Sequence, residues 1–400
     1  MAFQNLYPFV FVCLFLSSFQ LYSQETRGLY VNDFKYIIGD PEEEDKLLTF
    51  VREENFNYLL LYNLHYIHTN YFDMTDADAS IPLANFIEKA KTHYGVETVG
   101  GVGEKFTSFE KMKLYNAAHA GFPDRQFEVF NIEFEFWNEN LIDEYYCKTY
   151  LEENNLPCNK KGAYEFYIDQ IDQLIELADE IDVKSETYIG KPDTAQCQVL
   201  GEKLDRILVH YYRKQDTYNN GNSIYNYRKE RIPALASEEG TIEVLPIFCA
   251  RPIHMGPWLE FNPKEQAFDT WLYGQNGFEE QEGEWKEHIF VGGYQWYRYT
   301  DMFDALNDAD ASSRESLIEN NVAISSKDKN EKTDVKVYPN PAVHRITISS
   351  NNILPKIFDV TGRLVWQGDS SGFVQLDVSS WRRGIYIVRT GESSQKFVLN

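Results

Sequence analysis

Between residues 26 and 302, eight strand-like runs alternate with segments of helical period, and this alternation restricts the available folds more than any other feature. The runs are Gly28–Phe34, Phe56–Asn63, Val96–Gly101, Glu128–Trp137, Asp182–Tyr188, Arg206–Tyr212, Ile242–Cys249 and Ile289–Trp296. Between the fourth and fifth, Tyr164, Ile168, Ile171, Ile175 and Ala178 recur at spacings of three and four, which predicts a helix over Ala163–Glu180. Eight such repeats suit a (β/α)8 TIM barrel, which takes about 250 residues. A doubly wound sheet is the competing arrangement, but no glycine-rich phosphate loop follows the first strand. The expected fold class is α/β, with the barrel over residues 24–306. Barrel chemistry sits at the C-terminal ends of the strands, so strand order becomes a map of candidate residues.

The two ends of the chain read as address labels. Residues 1–23 carry the apolar run Leu6–Leu16 followed by small polar residues, the pattern of a secretory signal peptide. That run is too short to cross a bilayer and no second one is long enough, so no membrane span is expected. Residues 307–334 have the Asp, Asn, Ser, Glu and Lys composition of a linker. Beyond it, short period-2 runs separated by turn residues predict a small all-β sandwich over 335–400. This segment resembles the type A sorting domain of the type IX secretion system of Bacteroidetes, through Val337-Tyr-Pro-Asn-Pro341, Phe358-Asp-Val-Thr-Gly-Arg363 and Gly384-Ile-Tyr-Ile-Val388. The resemblance implies the type IX machinery as a partner and a secreted or cell-surface destination. Export permits disulfides, and Cys147 and Cys158, which bracket a short polar insert, are the expected pair. No cysteine–histidine spacing suggests a zinc site, and no metal or cofactor is expected.

The fourth run, Glu128-Val-Phe-Asn-Ile-Glu-Phe-Glu-Phe-Trp137, alternates strictly. Phe130, Ile132, Phe134 and Phe136 should face the helices, which turns Asn131, Glu133, Glu135 and Trp137 into the barrel. Two inward carboxylates on one strand are costly unless paired or put to use. Like-charge proximity raises the pKa of one, as a general acid near neutral pH requires. On the fifth run Lys184, Glu186 and Tyr188 share the inward face, beside strand four. Retaining glycosidases hold two carboxyl groups about 5 Å apart, a spacing that neighbouring strands can supply. The expected catalytic set is Glu135 with Glu186, supported by Glu133; the competing reading pairs Glu186 with Lys184 or an arginine. Glu260 after strand seven is a reserve candidate.

Strand four resembles that of family-18 glycoside hydrolases, the chitinases and endo-β-N-acetylglucosaminidases, whose pattern is Asp-x-x-Asp-x-Asp-x-Glu. Here the spacing holds Glu128, Asn131, Glu133 and Glu135, so only the last carboxylate keeps its type. Gly100-Gly101 and Gly292-Gly-Tyr-Gln-Trp296 are also similar to that family, and the resemblance implies that Trp296 floors a sugar subsite. The family uses the substrate's N-acetyl group as nucleophile. Asn131 with Glu133 resembles the Asn-x-Glu of family-85 endoglycosidases, and Asn138-Glu139 resembles the Asn-Glu ending strand four in many retaining enzymes.

The formal net charge is −24, which opposes nonspecific binding to nucleic acid. Yet the residues following the strands include His65, His68, Lys105, Lys191, His210, Arg213, Lys214, Arg251, His254 and Arg298. Cations gathered at one end of an acidic barrel suggest an anionic ligand, held by charge-assisted hydrogen bonds. Trp137, Tyr211, Tyr212, Trp258, Trp296 and Tyr297 are the aromatic residues expected to stack on sugars. His65, Asn131, Trp137, His210, Tyr212, Arg251 and Trp296 form the expected substrate-binding set. In size and organisation the chain is similar to the endo-1,3-fucanases of glycoside hydrolase family 168, which implies an endo-acting, retaining hydrolase of an extracellular sulfated fucan. The alternatives are a substrate-assisted hydrolase of N-acetylglucosamine glycans and a glycan-binding barrel without catalysis.

Overall fold

The computed structural model describes residues 25–213, 224–237 and 240–307, and, within the tail, 336–338, 342–350, 354–359, 363–368, 372–390 and 393–399. The expected signal peptide, the linker after Asn307 and Lys214 lie outside these residues.

Parallel strands β1 (Thr26–Val31), β2 (Tyr58–Leu61), β3 (Thr98–Gly103), β4 (Val129–Ile132), β5 (Lys184–Ile189), β6 (Arg206–His210) and β7 (Ile242–Cys249) pair in chain order. The eighth position is split between β8 (Ile289–Val291), which pairs with β7, and β9 (Gly293–Tyr297), which pairs with both β7 and β1 and closes the barrel. At the break, Gly293 has φ 143°, a conformation that side chains disfavour.

Side-chain parity builds two apolar layers. Leu29, Val31, Leu59, Leu61, Phe130, Ile132, Phe134, Phe136, Tyr294 and Trp296 pack outward into the layer shared with the helices. Tyr30, Tyr58, Leu60, Val102, Val129, Tyr188, Leu208 and Ile247 fill the barrel interior. The longest helix runs Lys160–Ile181, slightly beyond its expected limits, and is capped by the Asn159 side chain, which accepts from the Lys161 and Gly162 amides. Its fully buried stripe is Ala163, Phe166, Tyr167, Gln170, Ile171, Leu174, Leu177 and Ala178. Tyr164, Ile168 and Ile175, expected on that face, are only partly buried.

The tail forms an all-β unit of two antiparallel sheets. One contains β10 (Lys336–Tyr338), β11 (Arg345–Ser350) and β14 (Gly372–Asp377). The other orders β13 (Leu364–Gln367), β12 (Lys356–Asp359), β15 (Gly384–Thr390) and β16 (Ser393–Leu399). Ile346, Ile348, Ile357, Val388, Phe397 and Leu399 belong to its own buried core. Among the described residues, no helix is long and apolar enough to cross a membrane.

Candidate functional site

The mouth of the barrel is shaped where β3 and β4 end. Gly103 is in register with Ile132, and the Glu133 amide donates to the Gly103 carbonyl at 2.9 Å, which carries the ladder one residue past the strand. Glu104 and Glu133 therefore follow as cross-strand neighbours. Parity turns Glu133 inward, because Asn131 reaches the interior residue Glu186, while Glu104, in the bend after β3, lines a hollow together with Val102 and Tyr62.

Glu133 has no ion-pair partner among the described residues, and its Oε2 is enclosed without a hydrogen bond. Burial, then Glu135, then Glu104, pushes its pKa up to about 8 from the ordinary 4.5. Its carboxyl group acts on Tyr30, Tyr62, Tyr188 and Tyr297, raising the pKa of each phenol, and on Tyr62 it is the largest influence. Glu133 is thus a neutral acid at neutral pH, ringed by phenols. Glu135 is half-buried and accepts from the Asn138 amide at 2.7 Å, while its backbone amide donates to the Tyr146 hydroxyl.

Two hollows are lined by the carboxyl groups that raise the pKa of Glu133, one by Glu104 and the other by Glu135. Tyr62, His65, Val102, Glu104, Lys105, Tyr145 and Tyr150 are among the residues lining the first, of about 320 Å³. Glu135, Trp137, Lys160, Tyr188, Lys191, His210, Tyr212, Arg251 and His254 contribute to the second, of about 470 Å³. Trp137 lies so close to Gly190 that a Cβ there would sit 2.6 Å from the indole. His210 is held neutral, its pKa pushed down to about 3 by burial and then by Arg231, His254, Arg228 and Lys191. Among the described residues, neither ring nitrogen of His210 has a hydrogen-bond partner. Burial, then Lys111 and Lys105, lowers the pKa of the exposed His65.

The mouth brings together Glu133, Glu135, Trp137, His210, Tyr212 and Arg251, with His65 in the first hollow. Glu186 and Asn131 sit deeper. Glu186 is fully buried, in register with Asn131 and with Arg206, the first residue of β6. It accepts from Arg206 Nε at 2.5 Å, Asn131 Nδ2 at 2.8 Å and the Tyr58 hydroxyl at 2.9 Å. With both oxygens engaged below the mouth, Glu186 is geometrically the partner of Arg206 rather than of Glu135. The inward parity of Glu186 was legible in the sequence; its depth depends on β4–β5 register.

Trp296 requires a correction. It has no exposed surface and packs against Phe248 in the outer layer, so it offers no face to a sugar. The break at Gly292-Gly293 leaves Gln295 and Tyr297 as the inward residues of β9. Tyr211 and Trp258 are likewise buried in the outer layer, whereas Tyr297 stacks on Tyr212 at 5.9 Å. Glu139 is exposed and paired with Lys160 at 2.7 Å, Arg298 is paired with Asp301, and the exposed Glu260 lines a separate groove. Glu104 and its two tyrosine partners, Tyr145 and Tyr150, were not singled out from the sequence. Glu104 carries a parity signal, two residues after inward Val102, but the tyrosines come from an irregular segment without periodicity.

That segment begins with a short helix, Glu139–Leu141, preceded by Asn138 at its N-cap, and continues through a π-helix over Ile142–Leu151. A disulfide joins Cys147 and Cys158, the expected pair; Cys197 and Cys249 are free and buried.

The tail matches the model of the secretion system C-terminal sorting domain over residues 336–400. It marks the protein for secretion to the cell surface or extracellular space. No curated protein matches the chain. Similar solved structures include an FMN-binding β-glucuronidase from Facaelibacterium prausnitzii L2-6, at 12% identity and TM-score 0.39, covering 95% of this chain and 56% of that one. A GH5_18 protein from Bifidobacterium longum, in complex with Manb1-4GlcNAc, is 12% identical, with TM-score 0.44 and coverage of 68% and 69%. An aldolase, YdjI from Escherichia coli K12, is 11% identical, with TM-score 0.33 and coverage of 57% and 67%. This chain thus spans just over half the length of the glucuronidase. At these distances the chemistry has to be read from this chain's own side chains.

Proposed function

We propose that the protein is an exported glycoside hydrolase that cleaves an anionic polysaccharide, of the sulfated-fucan type, within the chain. The observation that carries this reading is the Glu133 carboxyl: enclosed by phenols, unpaired, and flanked by the carboxylates Glu104 and Glu135. A pKa near 8 keeps the proton that a general acid delivers to the glycosidic oxygen at neutral pH. A second carboxylate then stabilises or attacks the developing positive charge at the anomeric carbon. Two hollows, one lined by Glu104 and the other by Glu135, suit a polymer that occupies more than one subsite, as internal cleavage requires.

The anionic substrate is supported by the second hollow. Lys191 and Arg251 are exposed there beside Trp137 and Tyr212, so sulfate oxygens and a sugar face could be engaged together. Neutral His210 adds ring nitrogens that lack a partner among the described residues.

The test is size-exclusion profiling of sulfated fucan, and in parallel of soluble chitin, after incubation with the protein. Early collapse of fucan mass with few reducing ends is the expected result. Cleavage of chitin alone would move the reading to N-acetylglucosamine glycans, and retention of fucan without cleavage would leave a binding barrel.

A further inference from the structure

We infer that Glu104, at the end of β3, is the catalytic nucleophile that works with Glu133. This assignment rests on the glycosidase reading and specifies its second carboxylate. Three observations lead to it.

The first is register. Gly103 pairs with Ile132 and the Glu133 amide binds the Gly103 carbonyl, so residues 104 and 133 stand side by side on adjoining chains. Neighbouring strands lie about 4.8 Å apart, and a retaining pair needs carboxyl groups about 5–5.5 Å apart. Glu135 is two residues further along the same segment as Glu133, and Glu186 is below the mouth.

The second is orientation. The Tyr150 and Tyr145 hydroxyls both donate to Glu104 Oε2, at 2.5 and 3.1 Å. Among the described residues no hydrogen bond is made to its other oxygen, and the residue lines the first hollow. One oxygen is therefore fixed and the other is available to a reacting carbon. The third is electrostatic: after burial and Glu135, Glu104 is among the causes that raise the pKa of Glu133, which places the two carboxyl groups within each other's field.

In the first step Glu104 Oε1 forms a bond to the anomeric carbon as the glycosidic C–O bond breaks. Glu133 gives its proton to the departing oxygen. In the second, water attacks the same carbon, passes a proton to the Glu133 carboxylate and releases Glu104.

The experiment uses the full chain and whichever of sulfated fucan or soluble chitin the wild type cleaves. Glu104→Gln and Glu133→Gln should each lose at least about a thousandfold in kcat with a retained melting transition. In Glu104→Ala, added azide should restore turnover and yield a glycosyl azide, and wild-type product should keep its anomeric configuration by NMR. Substantial activity in Glu104→Gln beside a dead Glu133→Gln would overturn the nucleophile assignment alone. So would inverted product, or a loss in Glu104→Ala that azide does not relieve. A wild type inert on both polymers would instead overturn the glycosidase reading, and this assignment with it.

Discussion

Glu186 and Glu133 project from neighbouring segments of the sheet into the same barrel, and each confronts the cost of a carboxyl group out of water. At the level of Asn131, Glu186 remains within reach of a guanidinium, an amide and a phenol, and its charge is matched by Arg206. At the mouth, Glu133 has no ion-pair partner among the described residues, and burial with Glu135 and Glu104 raises its pKa to about 8, so it holds a proton instead. Pairing makes a rigid floor. Protonation makes a group that can give something away. The contrast separates the part of the barrel that supports structure from the part that can do chemistry.

Substitutions can break the contrast directly. Glu133→Gln should abolish cleavage, at about 10³-fold or more, while leaving the melting temperature unchanged or higher, since an isosteric neutral group replaces a neutral acid. Glu186→Ala should do the opposite. It strands the Arg206 charge in the interior and costs about 3–5 kcal/mol of stability, read by chemical denaturation. An active-site signature for Glu186→Ala with unchanged stability would erase the distinction.

The pH profile sharpens it. In the proposed mechanism Glu133 reacts in its protonated form, so activity should fall as pH rises through about 8. Because Glu135 raises that pKa, Glu135→Gln should move the falling limb to lower pH. Stability carries the same sign. A folded-state pKa of about 8 against 4.5 means that the folded protein holds a proton the unfolded chain has released. The contribution is complete below pH 4.5 and is lost as pH rises to about 8; Glu133→Gln should flatten that part of the curve.

Smaller effects are expected at the periphery. Arg251→Ala and Lys191→Ala should each raise KM for a sulfated polymer about fivefold to tenfold, and less for its desulfated form, in parallel initial-rate assays. The smallest change should follow Cys147→Ser. The bridge closes a separation of 11 residues on the segment that carries Tyr145, Tyr146 and Tyr150. Its loss should lower kcat a few-fold, by loosening Glu104 and the Glu135 backbone, with the barrel still folded by circular dichroism.

The barrel was legible because each strand carries its own period: outward Phe130, Ile132, Phe134 and Phe136 announce inward Asn131, Glu133, Glu135 and Trp137. Parity names the face of a residue and says little about its height in the barrel. Glu186 was placed correctly on the inner face, but height follows from the pairing of Asn131 with Glu186 and of Glu186 with Arg206. Arg206 held the missing signal, as an inward cation at the start of a strand. Trp296 failed for another reason: a glycine pair interrupts the eighth strand, so the family pattern did not transfer its facing. Glu104 lies beyond the expected strand Val96–Gly101, whereas β3 runs two residues further, to Gly103.

The wall of the second hollow depends on an atom that is not there. Trp137 rests against the bare backbone of Gly190, where a single methyl group would collide with its indole. A change of one codon to alanine would swing that aromatic plate aside and redraw the outline of the hollow, while leaving the acid and its neighbours in place. Which polymers fit would then be adjustable at a position that takes no part in bond cleavage, and so offers a handle for redirecting selectivity without rebuilding the chemistry.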